Sequence, residues 1–133
     1  MLKNALTPTN GVDYKQKAKE LSGALCDLQI RMKDKKLPVI VLFEGWGASG
    51  KGTLIANTIK LLDPRFFKVT STVTATAEER RYPFMKRYFE GLPEYGKLSV
   101  MDRSWYRELA AAKIEEDIPV DEYDRRLESI RIF

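Results

Sequence analysis

The sequence predicts an α/β domain, a parallel sheet with helices on both faces. Three observations carry this. The apolar run from Leu37 to Phe43 breaks directly into Gly45-Trp-Gly-Ala-Ser-Gly-Lys-Gly52, and the amphipathic stretch Thr53–Leu62 follows. The run is nearly continuous in apolar residues rather than alternating, as expected of a strand buried on both faces of a parallel sheet. Further strand-like and helix-like segments then alternate, which is the order that right-handed crossovers wind into such a sheet.

Residues 1–12 contain Thr7-Pro-Thr-Asn-Gly11 and read as a flexible lead-in. From Asp13, the residues Tyr14, Ala18, Leu21, Leu25, Leu28 and Met32 recur at helical spacing, predicting one packed face of a helix that ends near Lys36. Cys26 on this helix is expected to be a small buried residue. Leu37–Glu44 is the first strand, and Asp63-Pro64 stops the helix after the loop. Phe66–Val73, rich in β-branched and aromatic residues, is the second strand.

Thr74–Arg81 is polar and is expected to loop over the strand ends. Pro83 can open a helix with Phe84, Tyr88 and Phe89 turned inward, closed by Gly91 and Pro93. Leu98–Met101 is a third short strand ending at Asp102. Residues 104–117 and 120–133 read as two more helices, the last with Tyr123, Leu127 and Ile130 on one face. Only three strands are visible. Such a sheet has bare edges, so the domain is expected to be incomplete at its C-terminal side and part of a larger protein.

The glycine-rich loop is the strongest functional signal. Glycines let the backbone turn tightly and aim N–H groups inward, the helix start adds partial positive charge, and Lys51 adds a full one. Bracketed by a strand and a helix, Gly45, Gly47, Ala48, Ser49, Gly50, Lys51, Gly52 and Thr53 form a predicted phosphate cradle of the P-loop kind, giving a P-loop kinase-like sheet. Gly52 departs from that pattern, which has Ser or Thr there to meet Mg²⁺. Thr53 is turned about 100° further round the helix. A metal must therefore be held mainly by carboxylates.

Asp102 closes a strand where ligands bind in open α/β sheets, and is the candidate for Mg²⁺ binding and catalysis. Arg103 beside it is a candidate for bidentate contact with phosphate. Arg80, Arg81, Lys86 and Arg87 crowd the segment that faces the phosphate acceptor in nucleotide kinases. Arg80 and Arg87 are the candidates there, with a solvated helix face as the bland alternative. Trp105 and Tyr106 are expected to pack rather than stack on a base.

Bulk properties bound the chemistry. The 133 residues suit one core, and a net charge of +4 is too mild to argue for nucleic acid. The chain has no histidine and one cysteine, which excludes His-dependent nucleophile systems and argues against a zinc site. An internal disulfide is impossible, which fits a reducing, cytoplasmic setting. No apolar stretch is long enough to span a membrane.

Phe43-Glu44-Gly45-Trp46, Gly50-Lys51-Gly52 and Asp102-Arg103-Ser104-Trp105-Tyr106 together resemble the polyphosphate kinase 2 family. Leu62-Asp63-Pro64-Arg65 and the segment from Pro83 to Gly96 fit as well, so the resemblance runs from about Leu21 to the end. It implies that residues 13–133 are a partial P-loop phosphotransferase domain. It further implies transfer of a terminal phosphate between inorganic polyphosphate and a nucleoside mono- or diphosphate, with Mg²⁺. Lys51 would bind phosphate, Asp102 would serve metal or catalysis, and Arg103 would contact phosphate or nucleotide.

Two departures stand out. The family has Asp where this chain has Gly47, and it continues with more strands and a basic helical lid. The chain thus resembles the amino-terminal copy of a two-domain polyphosphate:AMP phosphotransferase, truncated, with an oligomer or a fused second domain expected. Two other readings share these residues. One is a degenerate copy that binds polyphosphate or nucleotide in support of a catalytic domain. The other is an ATP-dependent kinase of the thymidylate-kinase type, against which Gly52 argues.

Overall fold

The computed structural model describes residues 13–115 and 118–133. The expected lead-in over 1–12, and Glu116 and Asp117 of the expected helix 104–117, lie outside the described residues. The order is α1 (Tyr14–Asp34), β1 (Val39–Phe43), α2 (Lys51–Ile59), β2 (Phe67–Ser71), α3 (Lys86–Phe89), β3 (Leu98–Asp102), α4 (Trp105–Ile114) and α5 (Val120–Ile132), with single 3₁₀ turns before β2 and before α3.

All three strands are parallel, in the order β1-β3-β2. The chain therefore steps across the sheet from β1 to β2, then back to β3. With right-handed crossovers, steps in opposite directions put α2 and α3 on opposite faces. The register aligns Phe43, Asp102 and Ser71 at the carboxyl ends of the strands.

The core is small and centred on β3. Met101, Tyr88, Met85 and Trp105 form its centre, with Leu42, Phe84 and Ile130 packed against them. Tyr88 meets Phe84 and Trp105 edge-on, with ring centroids 5.8 and 5.6 Å apart. Ser99 is buried in the same strand and donates to the Gly91 carbonyl at 2.6 Å, which offsets the cost of burying its hydroxyl. A Cβ on Gly91 would stand 3.0 Å from Met101 Cε and 3.3 Å from the Tyr88 carbonyl, so the α3 turn approaches β3 closely there.

Several expectations are corrected. β1 is not buried on both faces: Ile40 and Val41 are each 36% exposed, and β3 is the buried strand. The reason is position, because β1 and β2 both lie at sheet edges. The helix expected after Pro83 is a single turn, and Phe89 is exposed although its ring meets Phe133 at 5.5 Å.

The packed face of α1 is also rotated from the one expected. Leu21 and Leu28 are exposed, whereas Gln29 and Met32 are buried and Cys26 is half-buried. Polar bonds set this face. The Cys26 thiol donates to the Leu61 carbonyl, and the Gln29 amide brackets Asp63, accepting its N–H at 2.8 Å and donating to its carbonyl at 3.1 Å. In α5, Tyr123, Leu127 and Ile130 share a half-buried face as expected. Among the described residues, no helix is long and apolar enough to cross a membrane.

Candidate functional site

The carboxyl ends of β1 and β3 lie side by side and carry the loop and Asp102. Left-handed backbone shapes the loop: Ala48 has φ 57° and Gly50 has φ 84°. Gly50 precedes α2, and no side chain caps the helix there. The first N–H groups of α2 therefore keep their capacity to bind an anion. Glycine suits Gly50 because an L side chain is strained at that φ.

Lys51 opens α2, and its ammonium folds back over the loop. Nζ donates to the carbonyls of Gly45 at 3.0 Å and Trp46 at 2.7 Å, and to Ser49 Oγ at 3.3 Å. Its three donors thus meet three loop acceptors. Gly47 and Gly52 have open space where a Cβ would stand, and Thr53 is exposed on the helix.

Asp102 ends β3 beside Phe43. Its carbonyl accepts the Thr72 N–H at 3.0 Å, and its Oδ1 is buried without a hydrogen-bond partner. Arg103 adopts φ 69°, an uncommon conformation for a side chain of its size, and its Nε is likewise buried and unpartnered. Its backbone is fixed on both sides. Its N–H donates to the Phe43 carbonyl at 3.0 Å, and its carbonyl accepts from Thr72 Oγ1 at 3.0 Å. Ser104 then caps α4 by accepting the Tyr106 N–H at 3.2 Å.

The Asp102 carboxylate suits a hard cation such as Mg²⁺. Among the described residues, no group of three or more His, Cys, Asp or Glu could hold a metal ion. Mg²⁺ is commonly held by one or two carboxylates, with water and substrate phosphates completing its shell.

A cavity of about 600 Å³ opens between the segment after β2 and α4. Six cations line it: Arg80, Lys86, Arg87, Arg103, Arg107 and Arg126. Five glutamates line it too, so it is a mixed-charge wall rather than a uniformly basic channel. Arg103 joins this cavity to the corner beside Asp102, whereas residues 45–53 are not part of its lining.

Arg80 is exposed, and its backbone N–H donates to the Thr76 carbonyl. Arg87 is committed to structural contacts. It pairs with Glu79 and Glu108, each at 3.5 Å, and donates to the Val73 carbonyl at 2.8 Å. Glu79 also accepts the Thr76 N–H, and this bond, with the Arg87 charge, holds its carboxyl below the usual range. Burial and the bond to Glu108 push the Tyr88 hydroxyl far above its ordinary value. Trp105 packs in the core as expected, and Tyr106 is about half exposed.

Sequence reading missed Arg107, Glu108 and Arg126. Arg107 and Glu108 follow Ser104 by three and four positions, so the helical period could have placed them on the face above it. Arg126 arrives from α5, and no local pattern announces that.

Comparisons with known proteins bear on the fold and the family. A solved structure assigned to polyphosphate kinase 2 of Pseudomonas aeruginosa PA01 superposes with TM-score 0.78 at 28% identity, covering 98% of this chain and 29% of that one. A polyphosphate:AMP phosphotransferase of Pseudomonas syringae pv. tomato is 34% identical over 113 residues, covering 85% of this chain and 22% of the relative. An ADP-polyphosphate phosphotransferase 3 of Rhizobium meliloti is 31% identical over 97 residues, covering 73% and 34%. The chain thus spans roughly a fifth to a third of the length of these two relatives. A family model, Polyphosphate kinase 2 (PPK2), matches residues 9–133. The chain belongs to the polyphosphate kinase 2 family.

Proposed function

We propose that this chain supplies the phosphate-binding half of a Mg²⁺-dependent phosphotransferase that moves a terminal phosphoryl group between inorganic polyphosphate and a nucleoside mono- or diphosphate. One observation carries this: an uncapped helix start behind a glycine-rich loop lies beside a buried, unpartnered carboxylate oxygen on the neighbouring strand. The printed names of the relatives supply the donor and acceptor classes.

In this reading the loop and the first N–H groups of α2 hold phosphate oxygens of the donor as a P-loop does. Lys51, which now spans three loop acceptors, exchanges at least one of them for a phosphate oxygen. Asp102 holds Mg²⁺, which when bound offsets negative charge on the phosphates. Arg103 spans the two parts of the site, so its guanidinium suits the phosphoryl in transit. The acceptor nucleotide occupies the cavity between the segment after β2 and α4, with Arg80 and Arg107 as its free cations. Arg87 holds that wall in place instead of binding substrate.

The reaction breaks one phosphoanhydride bond of polyphosphate and forms one on the nucleotide, so positioning and charge stabilisation suffice. Donor competition tests it: the protein at its full natural length is offered polyphosphate and ATP with AMP as acceptor. Preferential use of polyphosphate is expected. Exclusive use of ATP would favour the thymidylate-kinase type instead.

Gly47 favours a second reading, a binding copy without turnover, because the loop itself then carries no carboxylate. Retained polyphosphate binding in this copy, with full-length turnover indifferent to Lys51→Ala, would select it.

A further inference from the structure

The loop and the Asp102–Arg103 corner come from segments far apart in sequence, and a single side-chain bond joins their flanks. Ser104 Oγ donates to Glu44 Oε1 at 2.5 Å, across 60 positions. Glu44 stands immediately before Gly45, and Ser104 immediately after Arg103. Ser104 has no solvent exposure. Its oxygen already accepts the Tyr106 N–H as the cap of α4, so its own hydrogen would be a buried orphan without Glu44.

We propose that Glu44 and Ser104 are a positioning pair that fixes the glycine-rich loop against Asp102. Glu44 acts through an acceptor oxygen and is not a metal ligand. Only the consequence for ligand binding rests on the function proposed above; the geometric role stands on the bond itself. The pair works with the backbone bond from the Arg103 N–H to the Phe43 carbonyl, which lies on the same seam. The backbone bond sets the distance between the strand ends, and the side-chain bond stops the loop entry from swinging away.

The test separates charge from hydrogen bonding. Glu44→Gln keeps an acceptor oxygen and removes the charge, whereas Glu44→Ala removes both. Amide hydrogen exchange at Arg103 and Ser49 is measured in the protein at its full natural length, together with the dissociation constant for inorganic polyphosphate over a Mg²⁺ series. Glu44→Ala and Ser104→Ala are each expected to speed exchange about five-fold, the loss of one net hydrogen bond. The double variant should match Ser104→Ala alone. Glu44→Gln should stay within about two-fold of wild type in exchange, with an unchanged Mg²⁺ midpoint.

Ser104→Ala also loses a helix cap, so Glu44→Ala carries the test if that variant does not fold. Glu44→Gln as damaging as Glu44→Ala, additive effects in the double variant, or unchanged exchange in Glu44→Ala would each overturn the proposal. Failure of the wild type to bind polyphosphate would instead overturn the functional reading, and the exchange result would still decide the role of the pair.

Discussion

Lys51 shows how one residue braces the loop that it closes. Its ammonium spans two carbonyls and a hydroxyl of its own loop, so Lys51→Ala removes both a charge and a brace. Polyphosphate binding should weaken about 10- to 100-fold, the loss of one or two charge-assisted hydrogen bonds, which isothermal titration would detect. Gly47 offers the opposite change. With open space around its Cβ, Gly47→Asp should fold like wild type and lower the Mg²⁺ concentration needed for polyphosphate binding. A fall in melting temperature of several degrees would count against the open space at Gly47, and no shift in the Mg²⁺ midpoint would count against the metal being near the loop.

Tyr88 gives a pH prediction. Its hydroxyl is raised from 10.0 in the fold, so the contribution is complete below pH 10. It is lost as pH rises beyond 10, because the unfolded chain releases the proton first. Tyr88→Phe should cost about 1–2 kcal/mol near neutral pH and flatten the alkaline loss of stability. Denaturant melts at pH 8 and pH 11 would check this.

At the scale of elements, legibility followed periodicity and failed where polar bonds took over. The strand–loop–helix around Gly45–Gly52 was readable because an apolar run, a glycine cluster and an amphipathic stretch are all local signals. The face of α1 was not. Leucine spacing pointed to Leu21 and Leu28, but Gln29 grips the Asp63 backbone and turns the helix so that both leucines face out. Gln29→Ala should therefore destabilise the fold by about 1–3 kcal/mol, whereas Leu28→Gln should change it by less than about 0.5 kcal/mol. Equal effects in chemical denaturation would show that α1 packs through its leucines after all.

The single turn of α3 was overestimated because the segment after β2 is fixed from outside. Arg87 ties it to α4 through Glu108, a contact between distant residues that no local pattern contains. The site divides in the same way. The loop, Asp102 and Arg103 were legible as motifs, but the cavity wall from Arg107, Glu108 and Arg126 exists only once α4 and α5 are packed.

At the scale of the whole molecule, a buried central strand between two exposed edges explains why β1 read as a core strand yet is open here. Its apolar sequence suits a longer sheet, and the matched stretch makes up only 22% and 34% of two relatives. The isolated chain should melt well below the protein at its full natural length, as scanning calorimetry would show. Equal melting temperatures would mean that β1 and β2 need no further cover.

The central claim is that the loop, Lys51 and Asp102 form a working phosphoryl-transfer site. The most direct measurement is nucleotide formation from AMP or ADP with polyphosphate and Mg²⁺, comparing the wild type with Lys51→Ala at full natural length. The account predicts turnover that falls about a hundredfold or more in the variant, the scale seen when one preorganised donor is lost from a transition state. Equal turnover in the two proteins would contradict it and place the chemistry outside this chain.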